Sequence, residues 1–105
     1  MRPRLVVTAG PAKDTVIPLT QEEASIGRDP NNAVAISDPS VSRRHCLLRR
    51  EADGRFQIAD LESRNGTVVN GVTVKEQWLR HGDEIATGDS VFMFLVEEDD
   101  RVLPA

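Results

Sequence analysis

The chain has 105 residues, a formal net charge of −4, a single cysteine and no apolar run near the roughly 20 residues a membrane helix requires. That length is one domain's worth, enough to bury about two thirds of the unfolded surface without staples, and its acidic balance argues against general nucleic-acid binding, which rests on a basic face. Cys46 alone can form neither an intrachain disulfide nor a cysteine metal cluster, and the short apolar stretch at 5–7 does not make a secretory signal. A cytoplasmic domain without membrane insertion is the expectation.

Apolar residues recur with period two or in short β-branched runs, and nowhere with a helical period over a helix length, so the pattern is all-β. Candidate strands in chain order are 5–8, 15–19, 24–26, 33–36, 45–50, 56–59, 67–69, 72–74, 84–86 and 90–97. Turn signals separate them: Ala9-Gly10-Pro11, Asp29-Pro30-Asn31-Asn32, Asp38-Pro39, Asp53-Gly54, Asn70-Gly71, His81-Gly82-Asp83 and Gly88-Asp89. Gln21-Glu22-Glu23 is long enough for one helical turn and no more. Asn70-Gly71 between Val69 and Val72 has the composition of a two-residue type I′ hairpin, and Asp53-Gly54 that of a looser one. Short strands at roughly ten-residue spacing predict a sandwich of two antiparallel sheets over 1–105, with a core at about 4–97 and 98–105 an acidic tail or linker continuing Glu97-Glu98-Asp99-Asp100. Cys46 opens an apolar run and reads as a small core or half-buried residue; Trp78, Leu79 and Ile85 read as core edge.

Three donor-rich blocks fall where apolar runs stop: Gly27-Arg28, Ser42-Arg43-Arg44-His45, and Ser63-Arg64-Asn65-Gly66-Thr67 followed by Asn70-Gly71. Guanidinium forks, a hydroxyl and side-chain amides are the groups that hold a phosphate, and three such loops suggest one composite site at the end of the β-structure. A hydrolase with Ser42 as nucleophile and His45 as base lacks both an orienting partner and a glycine-flanked elbow. A metal site from His45, Cys46 and His81 lacks ligand spacing, so no metal and no cofactor is expected.

As an ensemble these blocks resemble the forkhead-associated (FHA) domain, a phosphothreonine-binding module whose pattern runs glycine-arginine, serine-x-x-histidine, asparagine-glycine-threonine, asparagine-glycine. The resemblance implies a non-catalytic β-sandwich that recognises a phosphothreonine peptide or protein, with a serine/threonine kinase upstream. It implies that Arg28 contacts the phosphate, that Ser42 donates its hydroxyl to it, and that Arg43 adds a donor. It further implies that Asn65 grips the peptide backbone, that Arg64 faces the peptide or its phosphate, and that Asn70 bonds the ligand backbone or the neighbouring loop. Gly27, His45, Gly66, Thr67 and Gly71 become structural support, His45 bracing the loops from inside. The competing reading is a phosphate-independent interaction or assembly domain, which unphosphorylated binding would reveal.

Overall fold

Alternating apolar positions drive one face of each segment out of water, and strand pairing then satisfies the backbone. The computed structural model describes residues 3–96 and places eleven strands there: β1 (Arg4–Ala9), β2 (Val16–Pro18), β3 (Glu23–Gly27), β4 (Val34–Ala35), β5 (Cys46–Arg50), β6 (Phe56–Asp60), β7 (Thr67–Val69), β8 (Val72–Val74), β9 (Glu76–Leu79), β10 (Glu84–Thr87) and β11 (Ser90–Leu95). They form a six-stranded sheet, β2-β1-β11-β10-β7-β8, against a five-stranded sheet, β4-β3-β5-β6-β9. This is the predicted all-β sandwich. Glu97 and the acidic tail at 98–105 lie outside the described residues.

The inward positions are those the alternation marks: Leu5 and Val7 of β1, Cys46 and Leu48 of β5, Phe56 and Ile58 of β6, Phe92 and Phe94 of β11 are all buried. Phe94 of the first sheet meets Phe56 of the second edge-on, ring centroids 5.4 Å apart, which fixes the two layers against each other. Each such side chain contributes about 1.5–3 kcal/mol by leaving water. Asn70 and Gly71 have φ of 52° and 84° and close the β7–β8 hairpin with Val69 opposite Val72, the type I′ geometry their composition predicts.

The structure departs from the sequence reading at four places. The pairing is not wholly antiparallel: β4 runs parallel to β3, with Ile26 opposite Val34 and Gly27 opposite Ala35. The connecting residues 28–33 fold back beside β3 instead of turning over, and the Ile36 amide donates to the Gly27 carbonyl at 2.9 Å. The second departure is β9, an edge strand whose Glu76, Gln77 and Trp78 are all exposed, so that burial does not alternate along it. The third is Trp78 itself, 39% exposed instead of core edge. It pairs with Gln57 on the outer face and is covered by the Arg55 guanidinium, 4.1 Å from its ring centroid, while Leu79, opposite Phe56, takes the inward position. Finally, Gln21-Glu22-Glu23 makes a bend leading into β3, not a helical turn.

Candidate functional site

The three donor-rich blocks meet at one end of the sandwich because three loops emerge there: residues 28–33 after β3, residues 36–45 before β5 and residues 61–66 after β6. The first two loops approach so closely that a Cβ on Gly27 would stand 2.1 Å from the Arg43 carbonyl oxygen, so only glycine fits. Across this contact the amides of Arg28 and Asp29 donate to the carbonyls of Ser42 and Arg43 at 3.0 and 3.2 Å. The buried Asn32 amide ties both sides, donating to the Asp29 and Arg43 carbonyls at 2.8 and 2.7 Å.

His45, fully buried, joins the second loop to the third. Its Nδ1 accepts from the Ser42 amide at 3.1 Å, and its Nε2 donates to the Gly66 carbonyl at 2.8 Å. The tautomer follows from those partners. Both ring nitrogens are thereby committed, and neither bonds the Ser42 hydroxyl. A base for Ser42 is therefore lacking in this pair.

Two buried or half-buried carboxylates shape the loops. Asp60 accepts from the Ser63 hydroxyl at 2.5 Å, the Ser63 amide at 3.2 Å and the Thr67 hydroxyl at 2.7 Å. Asp38 accepts from the Ser40 amide and hydroxyl at 2.9 and 2.6 Å and from the Ser90 hydroxyl at 2.7 Å. Burial raises both carboxyls, but these hydrogen bonds to the charged form prevail and hold both below the ordinary aspartate value. The Cys46 thiol is pushed by burial up to about 12, only partly opposed by the Thr67 hydroxyl, so it is an inert core group.

The braced loops enclose a recess of about 440 Å³ lined by Arg28, Arg43, Arg44 and Arg64 together with Ser42, Val41 and Glu62. Arg28 is oriented by its Nε, which donates to the Val41 carbonyl at 3.0 Å, leaving both terminal amino groups without a partner among the described residues. Ser42 Oγ accepts from the Arg64 amide at 2.9 Å, so its own proton remains available. Asn65 sits at the rim, one amide hydrogen donated to the Ser40 carbonyl at 2.8 Å and its oxygen unengaged. Four guanidinium groups around two oriented donor sets suit a multiply charged oxyanion.

The recess thus brings together Arg28, Ser42, Arg43 and Arg64, with Asn65 beside them. Asn70 is elsewhere: its amide donates to Asp83 at 2.9 Å and its oxygen accepts from the Glu84 amide at 3.0 Å, so of its two expected contacts it makes the one to a neighbouring loop. Sequence reasoning named Arg44 in its block without giving it a role, and gave none to Glu62, Asp38 or Asp60. The signal for Asp60 was present, an acid three residues before Ser63 and seven before Thr67; Asp38 was visible only as a turn former.

A family model described as FHA domain matches residues 24–88. The chain is 41% identical over 91 residues to the glycogen accumulation regulator GarA of Mycolicibacterium smegmatis, an overlap of 87% of this chain and 57% of that protein. It spans less than two thirds of the length of the curated relatives it matches first. Among solved structures, an FHA domain studied for phosphothreonine-dependent interactions superposes with a TM-score of 0.84 and 30% identity over 93% of this chain and 99% of that one. Mycobacterium tuberculosis EmbR in complex with a low affinity phosphopeptide superposes with a TM-score of 0.83 and 25% identity over 96% of this chain and 26% of its own.

Proposed function

The chain belongs to the FHA domain family, and from that premise we propose that its recess captures a phosphothreonine presented by a protein partner, without catalysis, downstream of a serine/threonine kinase. The observation that carries this reading is the pre-set donor pair. Arg28 and Ser42 are each held by a backbone partner, at Val41 and Arg64, in the orientation that leaves their remaining hydrogens for an anion. Two of the donors are thus ordered before binding, which lowers its cost.

In this reading Arg28 and Ser42 bond the phosphate oxygens, Arg43 and Arg64 add charge, and the free oxygen of Asn65 accepts from the ligand backbone. A phosphothreonine brings about two negative charges and three strong acceptors, whereas the unmodified residue brings neither. Each charge-assisted bond contributes roughly 1.5–3 kcal/mol, so two or three of them separate measurable from unmeasurable affinity. The absence of a base at Ser42 supports a binding module over a hydrolase. Residues 1–105 then act as one recognition domain. A regulatory role, as in the relative named a regulator, and a cytoplasmic setting belong to the same proposal.

The test is a titration of matched threonine and phosphothreonine peptides against the protein and Arg28→Ala. Binding only of the phosphorylated form, lost in the variant, is the expected result. Equal binding of both forms would establish the phosphate-independent alternative.

A further inference from the structure

We propose that Glu62 is a specificity-determining residue that selects phosphothreonine segments bearing a lysine or arginine beside the phosphorylated residue. Glu62 lines the recess together with Arg28, Arg43, Arg44 and Arg64, the one carboxylate in that company. Its backbone has φ of 58°, a left-handed conformation that costs a side chain with a Cβ free energy and suits glycine. The acids that shape these loops, Asp38 and Asp60, are each bonded by hydroxyls and amides. No hydrogen bond or ion pair among the described residues engages the carboxylate of Glu62.

An acid with no structural partner, held at a strained position on the wall of an anion-binding recess, weakens phosphate capture by like-charge repulsion. A cation on the ligand reverses that penalty, and an acid on the ligand deepens it. Discrimination by an unfavourable contact with the wrong ligand is a known route to specificity. The inference rests on the phosphothreonine reading of the recess, and its test separates the two.

The probes are phosphothreonine peptides of one alanine-rich sequence in which lysine, alanine or glutamate occupies each flanking position in turn. They are titrated at low salt against the protein, Glu62→Gln and Glu62→Gly, the second relieving the backbone strain. At one or two flanking positions the protein should bind lysine about two- to fivefold more tightly than alanine, the range of exposed ion pairs. Glutamate should bind more weakly than alanine there. In both variants the lysine advantage should vanish, and the alanine and glutamate peptides should gain affinity. A lysine preference that survives in Glu62→Gln, or none in the protein itself, overturns the inference while leaving phosphate recognition standing. Failure of every phosphopeptide to bind overturns the reading on which it rests.

Discussion

The brace between the loops comes down to one imidazole. His45 ties the Ser42 amide to the Gly66 carbonyl, and removing it leaves a half-buried donor and a half-buried acceptor unmatched. His45→Ala is therefore expected to cost about 1–3 kcal/mol of stability, read as a lowered Tm, with phosphopeptide affinity falling as a consequence. A variant of unchanged Tm that no longer binds would place His45 on the ligand instead. Arg28 behaves oppositely. Arg28→Lys keeps a charge but loses both the Nε bond to Val41 and the fork, so it should recover little of the binding lost in Arg28→Ala, and both variants should lower Tm less than His45→Ala does. At this scale the sequence was legible wherever a residue's chemistry is its role: Gly27, Arg28, Ser42, His45 and Asn65 fell in motifs. The roles of Arg44, named in its block but given none, and of Glu62 were not, because nothing in an exposed charge tells which side of a loop it will face.

Period two announces a strand only when one face is dry. That is why β1, β5, β6 and β11 were readable and β9, with three of four residues exposed at a sheet edge, was not. The β3–β4 parallel pair escaped for another reason: Asp29-Pro30-Asn31-Asn32 reads as a turn, and whether the strand leaving it pairs parallel or antiparallel is a property of the fold, not of either segment. β10 offers a test of how strictly the inner face is used. Thr87 lies wholly buried, and its hydroxyl has no hydrogen-bond partner among the described residues. Thr87→Val keeps the branched shape and removes the desolvated hydroxyl, so it should raise stability by about 1 kcal/mol or leave it unchanged. A calorimetric Tm decides this. A clear fall would reveal a partner, such as an internal water, that the hydroxyl serves.

For the molecule as a whole, the binding end is also where polar groups stitch the two sheets together. Asp60 ends β6 of one sheet and accepts from Thr67, which opens β7 of the other; Asp38, in the loop before β5, accepts from Ser90, which opens β11. Both carboxyls are held below the ordinary aspartate value, so the unfolded chain takes up their protons before the native state does. The stability they contribute is thus complete above the unfolded value near 4 and is lost as pH falls through the depressed native values. Thermal unfolding followed from pH 7 downward should show Tm dropping steeply only below about pH 4. Asp38→Asn and Asp60→Asn should each lower Tm at neutral pH, where the charged acceptor is missed, and each flatten the acid limb. Because the same carboxylates anchor the loops, phosphopeptide binding at pH 7 should weaken in these variants although neither acid lines the recess. An acid limb as steep in the double variant as in the parent would assign the acid sensitivity to other carboxyls and leave the sheets held at this end by packing and the remaining loop hydrogen bonds.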